Sequence, residues 1–316
     1  MSIIEQATKR LEQLRRAGVA VPWEAAGLTD AELRVRTESH VRTHPQGIAP
    51  AQPPSVHVQT HPTSTLRRVD GHVPVGGKTV NLDLEGLERS GQIVSTHSRT
   101  ALSEEFRKVK RPLLRNARGA SAAAERLSMI MVTSALPGEG KTFCAANLAM
   151  SMAAEIDTSV ILVDADVVRP GVLRHLGLQD EKGLLDILTD SDLDLSSVLL
   201  TTNVPKLSIL PAGAPSSRST ELLASEAMHK LLSGLADSHP DHVFVFDGPP
   251  LLVTTEASVL ASRVGQVVLV VEASKTLRRD VAQALAALEH CPLVMLMLNK
   301  QRAPLGGQPY GYGYYG

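Results

Sequence analysis

Short apolar runs recur along the chain from residue 128 onward. Six of them have the length of a strand and are predicted to be strands: 128–133, 159–163, 207–210, 242–246, 266–271 and 293–298. Strands that are apolar along nearly their whole length are buried on both faces, which is typical of a parallel sheet covered by helices. Amphipathic stretches around these runs predict helices at 99–116, 141–154, 171–176, 184–188, 219–236, 256–262 and 277–289.

The alternation of strand and helix predicts an α/β fold with a doubly wound, mostly parallel sheet. Ligands bind at the carboxyl ends of the strands in such sheets. The candidate chemistry should therefore directly follow the apolar runs.

The first 90 residues have a different pattern. The apolar side chains of residues 2–16 fall on one helical face, so we predict a short amphipathic helical segment within 1–37. It would dock on a partner or a membrane surface, or pack on its own protein. Residues 38–90 are poor in large apolar residues and rich in proline at first, and we predict a disordered or loosely ordered linker with a short ordered segment near Val80. The folded domain is then expected at 91–302, followed by a Gly/Tyr tail at 303–316.

Composition narrows the classes of function. A length of 316 residues allows one large domain with appendages, and a formal net charge of −1 argues against a general nucleic-acid binder. Two cysteines are too few for a disulfide framework. No apolar run approaches the roughly 20 residues of a membrane helix, and no signal peptide is recognised at the start. We expect a cytoplasmic protein.

A glycine-containing loop follows the first predicted strand, with the sequence Ala135-Leu-Pro-Gly-Glu-Gly-Lys-Thr142. Such a loop wraps a phosphate with its N–H groups at a helix N-terminus, while its lysine reaches the β- and γ-phosphates and its hydroxyl binds Mg²⁺. The alternative is a simple turn, but the strand–loop–helix context favours nucleotide binding. The predicted ATP-binding residues here are Pro137, Gly138, Glu139, Gly140, Lys141 and Thr142.

Carboxylates follow two other predicted strands. Asp164 and Asp166 come at the end of the second strand, and Asp247 ends the fourth. Together with Thr142 they are predicted to surround a hydrated Mg²⁺, and one of the first pair could instead accept a proton from a nucleophile. Taken alone, Asp164 and Asp166 are equally consistent with a helix cap.

All four tyrosines of the chain lie in its last seven residues, and they are Tyr310, Tyr312, Tyr314 and Tyr315. The intervening glycines disfavour a stable helix. This segment is either a disordered end or a flexible tether that presents phenol hydroxyls to an active site.

These motifs resemble those of the bacterial tyrosine kinases of exopolysaccharide systems, and most of all the exosortase-associated tyrosine autokinases. The resemblance covers about 99–315 and rests on residues 137–142 as Walker A, 163–166 as Walker A′ and 246–250 as Walker B. It implies a P-loop NTPase fold, ATP and Mg²⁺ as cofactors, catalysis by Lys141, Asp164 and Asp166, and autophosphorylation of the tyrosine tail between subunits. One departure is Val168, where the family pattern has arginine; Arg169 follows it.

The resemblance also implies partners. The family assembles rings through a Glu-x-x-Arg-x-x-Arg helix, and Glu104, Arg107 and Lys110 stand at those spacings, although a solvated charged face is the alternative. A separate membrane protein that controls polysaccharide chain length is the expected activator, which would place the chain at the inner membrane. Asn299, after the last strand, is a candidate contact to the adenine edge.

Two other functions fit the phosphate loop. A partitioning-type ATPase would share the fold and act as a nucleotide-driven localisation switch, but that group has a lysine where this chain has Leu136. A nucleotide-binding adaptor without catalysis would have no use for four nucleotide-site elements. The tyrosine tail favours the kinase over both.

Overall fold

The structure is a computed structural model, and it describes residues 77–96, 99–118, 124–190, 192–238 and 241–301. The predicted N-terminal helical segment and the tyrosine tail lie outside these residues.

An eight-stranded sheet forms the centre of the fold. Its strands are β1 (Thr79–Val80), β2 (Met129–Ser134), β3 (Ser159–Asp164), β4 (Leu200–Thr202), β5 (Leu207–Leu210), β6 (His242–Asp247), β7 (Gln266–Glu272) and β8 (Leu293–Asn299). Their order across the sheet is β1-β4-β5-β3-β6-β2-β7-β8. Every neighbouring pair is parallel except β4 and β5, which are antiparallel. The predicted α/β, mostly parallel sheet is confirmed.

Helices cover both faces of the sheet. They are α1 (Leu84–Arg89), α2 (Ala101–Ala117), α3 (Ala124–Leu127), α4 (Lys141–Ala153), α5 (Val172–His175), α6 (Leu184–Thr189), α7 (Leu195–Val198), α8 (Ser219–Ala224), α9 (Glu226–Ser238), α10 (Thr255–Ala261) and α11 (Arg278–Ala287). The predicted helix 219–236 is instead two helices, because Ser225 between α8 and α9 is extended (φ −66°, ψ 162°).

Two hydrophobic cores lie on opposite faces of the sheet because successive side chains of a strand point to opposite sides. In β2, Ile130 and Val132 pack with α2 and α4, whereas Met129 and Met131 pack with α8 to α11. All six residues of β2 are buried. The uninterrupted apolar run therefore reflects burial on both faces.

The folded region begins before residue 91, which corrects the predicted linker boundary. Thr79 and Val80 pair with Thr201 and Thr202 of β4. Leu82 and Leu87 join the core, where they are 2% and 8% exposed. Only a few apolar residues mark this segment, and its strand exists through pairing with β4 rather than through its own pattern.

Lys110 of α2 is buried and holds α2 against α4. Its ammonium lies 2.5 Å from the carbonyl oxygen of Ser151, to which it donates, and 2.7 Å from a carboxylate oxygen of Glu155. Its side chain is 7% exposed. The charge is therefore used inside the protomer.

Replacement of this lysine tests that assignment. We expect Lys110→Ala to lower the free energy of unfolding by about 2 kcal/mol, because it leaves the Ser151 carbonyl without its charged donor. The matched control is Lys108→Ala on the exposed side of the same helix, which should change stability by less than about 0.5 kcal/mol. Equal urea midpoints for the two variants would contradict the assignment.

Candidate nucleotide-binding site

The carboxyl ends of β3, β6 and β2 lie side by side because these strands are neighbours in the sheet. Asp164 of β3 is in register with Asp247 of β6, and Asp247 is in register with Val132 of β2. The loop that follows β2 therefore emerges next to both carboxylates. The structure thus brings together the phosphate loop and the acidic strand ends that the sequence analysis singled out.

The loop between β2 and α4 has the backbone of a phosphate cradle. Gly138 and Gly140 have φ values of +85° and +96°, which side chains other than glycine rarely adopt. Helix α4 starts at Lys141 immediately after the second of these glycines. The loop N–H groups and the N-terminus of this helix favour a bound phosphate.

Lys141 is held by a carboxylate in this structure. Its ammonium lies 2.6 Å from Oδ2 of Asp166, whose Oδ1 accepts the N–H of Arg169 at 3.1 Å. Burial lowers the pKa of Lys141, but the nearby carboxylates of Asp247 and Asp166 outweigh burial and raise it overall. The lysine is therefore a fixed positive charge beside the loop.

Asp164 is half engaged. Its Oδ2 accepts the N–H groups of Gly171 and Val172 at 3.0 and 2.9 Å. These bonds secure the start of α5, so the helix-cap alternative applies to one oxygen. The other oxygen, Oδ1, is buried and makes no hydrogen bond among the described residues. Burial, with Asp247 nearby, raises the pKa of Asp164 to about 7.

Asp247 is the most isolated carboxylate of the site. It is fully buried, and neither carboxylate oxygen has a hydrogen-bond partner among the residues described. Burial raises its pKa to about 6, although Lys141 opposes this shift. A buried carboxylate without partners is costly unless a cation binds it.

These free oxygens suit a divalent cation, which takes oxygen ligands. In the part of the chain that the structure describes, however, no three acidic, histidine or cysteine side chains form a closed metal site. Since Mg²⁺ in nucleotide sites keeps several waters and binds phosphate oxygens, one or two carboxylates suffice. The residues present therefore fit a cation that arrives with a nucleotide.

Two side chains brace the loop in ways the sequence analysis missed or misjudged. The buried carboxylate of Glu139 accepts the N–H of Leu136 at 2.8 Å and the hydroxyl of Thr276. Asn299, predicted to contact adenine, donates its amide N–H to the carbonyl oxygen of Glu139 at 2.8 Å. No local pattern marks Thr276, which lies beyond β7 and meets the loop only in the folded sheet.

The remaining predicted site residues are distributed as follows. Val168 is 48% exposed and Arg169 is also exposed, so both side chains are available at the surface beside the site. Glu104 and Arg107 form an ion pair along one face of α2. Lys110 is buried, so it does not present its charge at the surface with that pair.

Comparisons with known proteins agree on one family, although no family model matches the chain. Tyrosine-protein kinase YwqD of Bacillus subtilis is 30% identical over 226 residues, which are 71% of this chain and 90% of that protein. Tyrosine-protein kinase CpsD of Streptococcus pneumoniae is 30% identical over 61% of this chain and 85% of its own length. Other relatives are longer, and the chain spans 26% of the tyrosine-protein kinase wzc of Salmonella typhimurium.

Solved structures give the same result. The kinase domain of the Escherichia coli tyrosine kinase ETK matches with a TM-score of 0.53 and 26% identity, over 67% of this chain and 80% of that domain. The chimerical protein CapA2B2 shares the fold, with a TM-score of 0.54 and 23% identity over 70% of this chain and 92% of its own. These kinase relatives do not favour a partitioning ATPase or an inert adaptor. The chain belongs to the bacterial tyrosine-protein kinases.

Proposed function

We propose that this protein-tyrosine kinase uses Mg·ATP to phosphorylate its own C-terminal tyrosine cluster, mainly between subunits, and thereby regulates exopolysaccharide synthesis or export in an exosortase-associated system. The observation that carries the proposal is the free, buried Oδ1 of Asp164 beside the phosphate loop and next to Asp247. A protein that only bound a nucleotide would have no need for a proton acceptor at this point.

A cavity beside Asp164 is large enough for an acceptor side chain. Its volume is about 980 Å³, and its apolar walls include Leu173, Leu178 and Pro211. Asp164 lines the same cavity. A tyrosine ring packed on these walls would bring its hydroxyl toward a carboxylate.

The proposed chemistry is in-line transfer of the γ-phosphoryl group to a tyrosine. The phenol oxygen forms a bond to the γ-phosphorus, the bond from that phosphorus to the bridging oxygen breaks, and ADP leaves. Asp164 accepts the phenol proton, because a neutral phenol is a poor nucleophile. Asp166 is the weaker candidate, since its carboxylate is already bound to Lys141 and to the N–H of Arg169.

The binding roles follow from position. We assign the phosphates to the N–H groups of residues 137–142 and to Lys141. Thr142 and Asp247 would hold Mg²⁺, with Asp164 and Asp166 beside it. The metal would neutralise the charge that develops on the phosphate oxygens.

The proposed partners are a second copy of the chain and a membrane protein of polysaccharide chain-length control. Glu104 and Arg107 are proposed as a ring interface, without Lys110. No helix among the described residues is long and apolar enough to span a bilayer. Attachment of this cytoplasmic chain to the inner membrane would therefore have to involve the activator or residues outside the described part.

Removal of the loop lysine tests the assignment of the site. Lys141→Met should reduce tyrosine labelling from γ-labelled ATP by at least about a hundredfold, because the charge beside the β- and γ-phosphates is lost. The circular dichroism spectrum should match that of the parent. Undiminished labelling would show that ATP is used elsewhere.

Asp247 gives a prediction about stability and pH. Its pKa in the folded chain, about 6, lies above the ordinary value of 3.8. The folded state without nucleotide therefore binds its proton more tightly than the unfolded state does, so stability should fall as pH rises from about 4 to about 6. Asp247→Asn removes this contribution. At pH 7.5 it should raise the unfolding free energy by about 1 kcal/mol and abolish labelling.

The control is Asp241→Asn at an exposed position just before the same strand. It should leave both the urea midpoint and its pH dependence unchanged. A lower stability for Asp247→Asn at pH 7.5 would mean that the carboxylate is compensated in the nucleotide-free chain.

A mixing experiment tests both the tail and the transfer between subunits. One chain carries Lys141→Met with the natural tail, and the other has an intact site with all four tyrosines changed to phenylalanine. Each alone should remain unlabelled, whereas the mixture should label the first chain only. Label on the phenylalanine variant would place the acceptor elsewhere. No label in the mixture would restrict transfer to a single chain.

Phosphorylation should also disperse the assembly, because each phosphate adds about −1.5 to −2 charge and is repelled by the acidic site. Sedimentation of the unmodified, phosphorylated and phenylalanine forms measures this. Only the phosphorylated form should sediment as a monomer.

A further inference from the structure

The outer side of the phosphate loop is held by the residue that follows β8. Lys300 donates from its ammonium to the carbonyl oxygen of Gly138 at 2.6 Å. The neighbouring carbonyl, that of Glu139, accepts from Asn299. Two successive loop carbonyls are thus bound by two successive side chains of another strand end.

These bonds have a direct consequence for the loop N–H groups. Each peptide unit is planar, so fixing the direction of its carbonyl also fixes the direction of the N–H on the following residue. The carbonyl of Gly138 is joined to the N–H of Glu139, and that of Glu139 to the N–H of Gly140. Lys300 and Asn299 therefore orient two of the N–H groups that would receive a phosphate.

Lys300 has the backbone and the charge environment of a residue with a specific task. Its φ is +57°, in the left-handed region that residues other than glycine seldom adopt. Its ammonium also lies 3.2 Å from a carboxylate oxygen of Glu272 at the end of β7. The loop, β7 and β8 are thereby tied together through one side chain.

We propose that Lys300, with Asn299, is a positioning residue that shapes the phosphate loop for the β-phosphate of ATP from the side opposite to the ligand. The inference rests on the ATP-binding part of the proposed function and not on the destination of the phosphoryl group. Lys300 begins the short segment that leads to the first tail tyrosine, Tyr310. Events at the tail and the shape of the loop are therefore connected through ten residues of chain.

The chain offers a matched control in Lys275. Its ammonium binds the same Glu272 oxygen at 3.1 Å, but its side chain is 69% exposed and its printed contacts do not include the loop. Lys275→Ala therefore removes an equal charge and an ion pair with the same partner. Any difference from Lys300→Ala measures the contact with Gly138.

The test is nucleotide binding by the full chain with Mg²⁺, measured calorimetrically for ATP, ADP and AMP. Lys300→Ala should weaken ATP and ADP about tenfold, as expected for losing a hydrogen bond from a charged donor. AMP, which lacks a β-phosphate, should be affected less than threefold. Lys300→Arg, which keeps a charged donor, should recover most of the affinity, and Lys275→Ala should bind like the parent.

Labelling at saturating ATP adds a kinetic readout. Lys300→Ala should raise KM for ATP and leave kcat within about twofold, since the loop still closes on bound nucleotide. The inference is overturned if Lys300→Ala binds ATP and ADP like Lys275→Ala. It is also overturned if AMP is weakened as much as ATP together with a lower melting temperature of the nucleotide-free chain, since that pattern indicates a structural role. Both readings use nucleotide affinity, so they stand whether or not the tail is the acceptor.

Discussion

The fold and the site both depend on the attraction between Lys141 and the three carboxylates at the carboxyl ends of β3 and β6. Asp164, Asp166 and Asp247 are each 3% exposed or less, and three buried negative charges so close together would repel one another strongly in the absence of a cation. Lys141 supplies one positive charge, and it binds Asp166 directly. The remaining negative charge is left unbalanced in the nucleotide-free chain.

That imbalance explains why the site is suited to a nucleotide with its metal. The sheet supplies rigidity: β2, β3 and β6 are buried and parallel, so their ends cannot move apart to relieve the repulsion. Binding of a divalent cation would relieve it instead. The architecture therefore stores an unfavourable interaction in the empty site and turns it into affinity.

Prediction from sequence worked best where one physical cause dominates. Runs such as 159–163 are apolar on both faces because helices cover both sides, so the parallel sheet could be inferred directly. Gly138 and Gly140 mark the loop because their backbone needs glycine. By contrast, β1 has two residues and depends on β4 for its existence, and no local pattern encodes that pairing. Lys110 has the spacing of a surface charge, yet its environment is set by α4, which is far away in sequence.

The directions of the outermost strands determine where the rest of the chain can act. β1 runs parallel to β4 and therefore opposite to the other strands, so its first residue lies at the same edge of the sheet as the last residue of β8. With about 4.8 Å between neighbouring strands, these two points flank the nucleotide edge roughly 34 Å apart. Both long segments that continue from the sheet thus attach on the side of the chemistry. The opposite edge carries only short connections, which makes it the natural place to attach a reporter without disturbing catalysis.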